Sequence, residues 1–486
     1  MARTVAEANS ILARIEHMPF GPARTQAAAT EAARVEADGP EQCLAYSLNV
    51  LIASYTFTGE QEKAYVPFSR LVKLYDTRPD LFDEKDHYDL QWAFKWMVNG
   101  LSSFPGVSAE RIDAAIADME SRFGVDGIGA KTVIRSRYFW ALHRYGKDAA
   151  EPYFQKWLVT PNDNVFGTEC DMCTCNTDVF HSIEADDWED ALAKFDTALA
   201  DPENPSRCFQ EPAAMGSALL PWLARRGQPG DDDRARTLYR RVREQADADP
   251  TDFVAVLGRM VQFLASSGHP KRALRYLEKN SKWLVKAESP LERLQFVSRV
   301  AGGLRLLVEH YGMGDTAVSI SEVPAATVSE LHQWTARETR AIAAEFDARN
   351  GTATVSQRAE QVMAANPTGR VLDLTLRLEP DGADTDGAQQ PITASVTTFP
   401  GAAGTFDPTV ANSGETAGAA LAANQSTSEQ DAQAALDTAE DKARHGDVEG
   451  AVSHYVAAAS AYRAAGRLRD AGFAYAEAAA HTYNLD

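Results

Sequence analysis

Four of the five cysteines lie between Cys170 and Cys208. Cys170-Asp-Met-Cys173 sets two thiols at metal-chelating spacing, and Cys175 adds a third. In an antiparallel helix hairpin the start of the first helix lies beside the end of the second. Cys208 follows the second helix of this stretch, so that geometry returns it to the pair. Cys170, Cys173, Cys175 and Cys208 together suit a tetrahedral structural zinc. Reduced thiols packed as small hydrophobes, or a redox pair, fit the same residues. His181 is a poorer fourth ligand, because two helical turns put it about 9 Å along the axis from the cluster. Cys43 stands alone and reads as core.

No other stretch carries chemistry so directly. Gly124-Val-Asp-Gly-Ile-Gly-Ala-Lys-Thr imitates a phosphate loop, but Ala130 separates Gly129 from Lys131 and no apolar strand precedes it. It reads as the loop into a helix. The sequence has no HExxH, GxSxG or kinase set, and its ten histidines are scattered. The carboxylate pairs Asp186-Asp187 and Asp231-Asp232-Asp233 sit in turns, where they cap helices. The expectation is a protein without catalysis.

The elements that must position these residues are helix pairs. Ala191, Phe195 and Ala198 fall at i, i+4, i+7, on one helical face. The stripe returns at Ala64/Phe68/Leu71, Ile112/Ile116/Met119, Ala150/Phe154/Trp157, Ala235/Tyr239/Val242 and Ala273/Leu277/Asn280. Its first positions are about 38 to 48 residues apart, somewhat longer than a 34-residue tetratricopeptide unit. The spacing predicts hairpins of Gln42–Thr58 with Glu60–Tyr75, Lys85–Leu101 with Ala109–Phe123, and Lys131–Tyr145 with Asp148–Leu158. The cysteine hairpin follows, then Ala213–Arg226 with Asp233–Ala246, and Asp252–Ser266 with Lys271–Leu284. Two helices precede them, broken at Pro19-Phe-Gly-Pro22. Leu291–Tyr311, Val328–Arg349 and Val355–Ala365 follow as closing helices.

Beyond Asn366 the pattern changes. Leu372, Leu374, Leu376 and Leu378 alternate with polar residues, as do Ile392, Ala394 and Val396, which predicts a small β-hairpin at 371–398. Pro400–Ser428 is rich in Gly, Ala, Thr and Ser and reads as a flexible linker. Residues 429–486 return to alanine-rich helices, with Ala451/Tyr455/Ala458 and Ala471/Tyr475/Ala478 repeating the stripe. The expected organisation is an all-α tetratricopeptide-like superhelix over 1–315 and closing helices over 316–366. The β-hairpin and linker then fill 367–428, and a C-terminal helical module fills 429–486.

The chain of 486 residues carries a formal net charge of −21. That disfavours nucleic acid and anionic membrane surfaces, which need clustered Lys and Arg. No window approaches the ~18 apolar residues of a membrane span. The first residues lack the basic-then-apolar run of a secretory signal, so a cytoplasmic location is expected. Stacked hairpins line an inner face with their first helices. Here those helices offer Trp92, Trp96, Arg137, Trp140 and Arg144, a mixture typical of protein interfaces. The basic helix around Arg234–Arg243 reads as a solvated face or a dock for an acidic segment.

Residues of about 12–310 resemble the tetratricopeptide-repeat proteins, and within them a group of uncharacterised bacterial members. The resemblance rests on Met18-Pro-Phe-Gly-Pro-Ala-Arg24, Phe94-Lys-Trp96 with Phe104-Pro105, Cys170-x-x-Cys173, and Cys208-Phe-Gln-Glu-Pro212. It implies that the CxxC and Cys208 belong together, and it implies no activity. Asn280 departs from the small residue usual at its stripe position. The combined expectation is a scaffold holding a peptide or helix of a protein partner. The rival is a regulatory protein switched by metal or oxidant at Cys170, Cys173 and Cys208.

Overall fold

A computed structural model of the protein describes residues 3–162, 171–200, 210–374, 432–439, 441–442 and 447–464, with Ala474 and Ala478. It falls into two compact units, Met1–Leu372 and Asp373–Asp486.

The first unit is a succession of helix pairs. Helices α1 (Val5–Glu16) and α2 (Pro22–Asp38) lead. Then come α3 (Leu44–Thr56) with α4 (Gln61–Thr77), α5 (Glu84–Leu101) with α6 (Ala109–Asp126), and α7 (Ala130–Tyr145) with α8 (Lys147–Val159). They continue as α9 (Asp171–Glu184) with α10 (Trp188–Ala200), α11 (Ala213–Arg226) with α12 (Asp231–Ala248), and α13 (Val254–Ser266) with α14 (Pro270–Lys279). Three further helices end the unit: α15 (Pro290–Glu309), α16 (Val328–Asn350) and α17 (Thr354–Met363).

Local chemistry sets these bounds. Thr4 and Glu7 form a capping box at α1, and Thr327 and Glu330 form another at α16. Ser108 caps α6, as its place after the proline–glycine break predicts. The turn between α9 and α10 uses Asp186 at φ 64°, a left-handed conformation that Asp tolerates better than most side chains. Gly129 opens α7 at φ 68°, and a Cβ there would lie 2.3 Å from the Phe123 ring. The glycines of the phosphate-loop imitation therefore serve a tight turn over Phe123.

The stripe residues pack as their spacing requires. Ala64, Ile112, Ala150, Ala191, Ala235 and Ala273 are all buried. Small residues there let paired helices approach, and aromatics such as Phe154, Phe195 and Tyr239 fill the space between neighbours. First helices also pack on first helices: α3 on α5, α5 on α7, α9 on α11, α11 on α13. Helix α13 is the most enclosed. It touches α11, α14 and α15, and it is apolar nearly all round because no side of it faces open solvent.

Helices α15–α17 do not simply extend the series. α15 packs on α13, α16 and α17 pack on α15, and both also reach α7. Polar anchors tie this return. Arg349 donates to the carbonyls of Ser102 and Phe104 at 3.2 Å each, capping the end of α5. Arg144 donates to the Asn350 carbonyl at 3.3 Å, and Thr352 donates to the Arg144 carbonyl at 2.6 Å. Phe346 is fully buried on the apolar side of the same seam, which contributes about 2–3 kcal/mol. Gln262 of α13 donates to the Val362 carbonyl at 2.8 Å. Gly302 makes room for that bond, since a Cβ there would stand 2.4 Å from the Gln262 amide nitrogen.

Three expectations need adjustment. The second helix of the sixth hairpin stops at Lys279, and Ser281–Leu284 is a separate 3-10 turn. Asn280 stands at the break: it is buried and donates from Nδ2 to the Tyr276 carbonyl, satisfying a helix end. The basic helix is a solvated face in part: Arg241 and Arg243 are exposed, whereas Arg236 is buried and pairs with Asp233, and Arg234 pairs with Asp196. Finally, Val371–Leu374 is not assigned as strand, and among the described residues the one β-bridge joins Ala317 and Thr327. The remainder of the expected hairpin and the linker to 428 lie outside the described residues.

In the second unit, residues 432–439 and Val448–Ala464 are helical. Ala432, Leu436 and Ala439 share a core with Ala451, Tyr455, Ala458 and Tyr462. The Tyr462 hydroxyl donates to Gln433 Oε1 at 3.1 Å. Of the second expected stripe only Ala478 is described, and it is buried.

Candidate functional site

Helix α5 repeats an aromatic residue every fourth position at Tyr88, Trp92 and Trp96, which aligns the three on one face. The row continues across elements. Trp96 meets Phe57 at the end of α3, with ring centroids 4.9 Å apart and nearly perpendicular. Phe57 meets Phe20, in the loop between α1 and α2, at 4.9 Å. Trp92 lies 5.8 Å from Trp96 and 6.3 Å from Tyr88. Phe20 is 49% exposed, Tyr88 is 36% exposed, and the three rings between them are half-buried. Five neighbouring rings thus form a ladder that is exposed at its Phe20 and Tyr88 ends and half-buried between them.

Cations and buried polar groups hold this ladder. Arg24 stacks 4.0 Å above Phe20, fixed by bonds to the Ser54 hydroxyl and the Met18 carbonyl. Lys95 lies 4.2 Å above Trp92. Gln61 of α4 donates to the Trp96 carbonyl at 3.3 Å. At the Tyr88 end, Lys85 bridges Glu16 and Asp89, and Glu16 accepts from the Tyr46 hydroxyl at 2.6 Å. Beneath, Asn49 donates to Asp86, whose burial pushes its carboxyl up to about 6. Another face of α5 lines an apolar cleft of about 300 Å³ with Tyr65, Phe68 and Val72 of α4.

The other three residues picked as a binding face have different surroundings. Trp140 is 7% exposed and donates from its ring to Asp113 at 2.8 Å. Arg144 shares that carboxylate and holds the end of α16. Arg349 of α16 covers Trp140 at 5.0 Å. Arg137 pairs with Glu120. Trp92 and Trp96 therefore lie together in a half-buried row with exposed ends, whereas Trp140 and Arg144 lie against the chain's own α16. Sequence spacing singled out both groups alike, since nothing local marks where α16 returns. Phe20 and Phe57 were missed because they sit at helix ends, outside the periodic pattern.

Of the cysteine cluster, Cys173 and Cys175 are described and lie on one turn of α9, both half-buried. Cys175 donates weakly to the Lys194 carbonyl of α10, and burial, then Asp178 and Glu211, push its thiol up to about 11. Cys170 and Cys208 lie outside the described residues. Among the described residues no three His, Cys, Asp or Glu side chains are grouped to hold a metal. His181 stacks on Phe154 at 3.4 Å and faces Glu151 at 3.5 Å. Cys43 is buried against Asn9. Among the described residues no helix is long and apolar enough to cross a membrane.

No protein-family model matches the chain. No curated protein matches it either. The all-helical succession of pairs stands on the structure, and the tetratricopeptide resemblance rests on the sequence motifs alone.

Proposed function

We propose that the protein is a non-catalytic interaction scaffold, a tetratricopeptide-like superhelix that holds a peptide or helix of a protein partner on the inner face of its first helices. The observation that carries this is the Phe20–Phe57–Trp96–Trp92–Tyr88 ladder. Exposed aromatic rows are uncommon on surfaces that bind nothing, and Trp and Tyr dominate the energetics of interfaces. The ladder runs from the loop before α2 over the end of α3 and along α5, whereas α16 and α17 cover the next first helix, α7. The covered part, near Trp140 and Arg144, already holds a helix of this chain, which illustrates the type of segment such a face accommodates.

The test is affinity capture from native lysate with the full chain and with a Trp92→Ala/Trp96→Ala variant. A protein enriched by the wild type and lost, by about tenfold or more, with the variant supports the ladder as the docking face. Equal enrichment by both removes the ladder from the account.

A further inference from the structure

The rings of the ladder do not form a flat platform. Phe20 and Phe57 are tilted by 49°, Phe57 and Trp96 cross at 81°, Trp96 and Trp92 are tilted by 37°, and Trp92 and Tyr88 cross at 69°. Where two rings cross, an edge stands beside a face, and the corner between them is a slot. Successive bases stack on faces that lie parallel, so this row is not built for stacking. It has one slot at Phe57/Trp96 and one at Trp92/Tyr88, separated by the 5.8 Å step between the tryptophans. With half of each crossed pair added to that step, the slot centres stand on the order of 10 Å apart, and a polyproline II helix returns the same face every three residues, about 9 Å.

The row is also a single file of rings, narrower than the roughly 10–12 Å of an α-helix with its side chains. Polyproline II is slimmer and leaves its carbonyls unpaired, and the indole N–H groups of Trp92 and Trp96 are donors of the type those carbonyls accept from. The two ends of the row differ in charge. Arg24 lies 4.0 Å above Phe20 at one end. At the other, the start of α5 around Tyr88 carries Asp83, Glu84, Asp86 and Asp89, and Glu16 approaches from α1. Lys85, which bridges Glu16 and Asp89, is the lysine placed among these carboxylates. Positive charge on a partner is therefore favoured at the Tyr88 end.

We propose that the ladder binds an extended, proline-rich segment of a partner in the polyproline II conformation. Two prolines three residues apart sit in the Phe57/Trp96 and Trp92/Tyr88 slots, and an Arg or Lys of the partner lies beside Glu16 and Asp89. This rests on the reading of the ladder as a docking face and narrows its occupant to one conformation and one charge. About seven residues, at roughly 3.1 Å each, cover the row. Arg24 on Phe20, Lys95 at 4.2 Å above Trp92, and the Gln61 bond to the Trp96 carbonyl fix the rings, so the slots stand before the partner arrives. A proline-rich chain is likewise ordered before it binds, and the association loses little conformational freedom on either side.

The experiment selects phage-displayed random dodecapeptides on the immobilised full-length protein, with the Trp92→Ala/Trp96→Ala variant as a parallel target. Enriched peptides are synthesised and titrated against both proteins by fluorescence anisotropy. The expected result is enrichment, on the wild type alone, of peptides with prolines three residues apart and an Arg or Lys beside them. Exchanging those prolines for alanine weakens binding by about tenfold or more, and exchanging the basic residue for glutamate weakens it by about fivefold or more. Tyr88→Ala, at a ring 36% exposed, weakens it as well and serves if the double variant does not fold. Enriched peptides that lack proline and carry apolar residues at helical spacing overturn the proposal while leaving the ladder as a docking face for a helix. Absence of any peptide that prefers the wild type to both variants also overturns it. The docking-face reading itself fails separately, when native lysate yields no protein that the double variant loses.

Discussion

Replacing Glu292 by glutamine should make the protein more stable at alkaline pH and leave it unchanged in acid. Glu292 lies in the first turn of α15, where the Leu291 amide bonds the Ser103 carbonyl at 3.2 Å. Its Oε2 is buried without a hydrogen-bond partner. Burial, then the charge of Asp252, push its carboxyl up to about 7 from an ordinary 4.5. Glu288 is pushed up to about 8 by burial, Glu292 and Asp252, and Asp252 up to about 6 by burial and Asp249. The folded protein therefore keeps protons that the unfolded chain has released. For an acid raised in this way the penalty is absent below the unfolded value and complete above the folded one, so stability falls as pH climbs from about 4 to about 8. At about 1.4 kcal/mol for each unit of pKa, ionised Glu292 costs on the order of 3 kcal/mol. Residual contact with water reduces this to about 2 kcal/mol. Glu292→Gln has the same shape and cannot ionise. Urea unfolding followed by tryptophan fluorescence should show the variant equal to wild type near pH 4 and ahead by about 2 kcal/mol near pH 8. A gain independent of pH, or a loss at pH 8, would refute the placement of this carboxylate.

Other consequences can be checked directly. Asn350→Ala removes bonds to His143 and Arg349 from a buried position, and should cost about 1–3 kcal/mol while speeding amide exchange in α16 and α17 ahead of α11–α13. Gly129→Ala forces a side chain into a left-handed backbone and onto Phe123, so its thermal midpoint should fall by an amount equivalent to at least about 1–3 kcal/mol. Burial keeps the Cys175 thiol protonated, so its alkylation in the native protein at pH 8, read by peptide mass spectrometry, should run on the order of 100-fold slower than in urea.

Local features of the chain were legible because the physics behind them is local. Stripes such as Ala64/Phe68/Leu71 and breakers such as Pro19–Pro22 placed the helix pairs within a few residues, since periodicity and capping act over one or two turns. Even Asn280, an apparent flaw in its stripe, proved to be a helix end rather than a core position. The return of α15–α17 onto α7 was not legible. Arg144 and Asn350 are some two hundred residues apart, and no spacing rule links a carbonyl at one helix end to a guanidinium on another. The candidate face was accordingly half visible: Trp92 and Trp96 announce themselves by their four-residue spacing, whereas Phe20 and Phe57 join them only through the fold.

The claim that the ladder receives a partner is tested most directly by photo-crosslinking. A photoreactive phenylalanine analogue placed at Tyr88, on the ladder, is compared with the same group at Tyr153 on α8, which is equally exposed. The account predicts one protein crosslinked from position 88 in native lysate, absent from position 153, and lost when Trp92 and Trp96 are alanine. Crosslinks that are the same from both positions, or none from position 88, would contradict it.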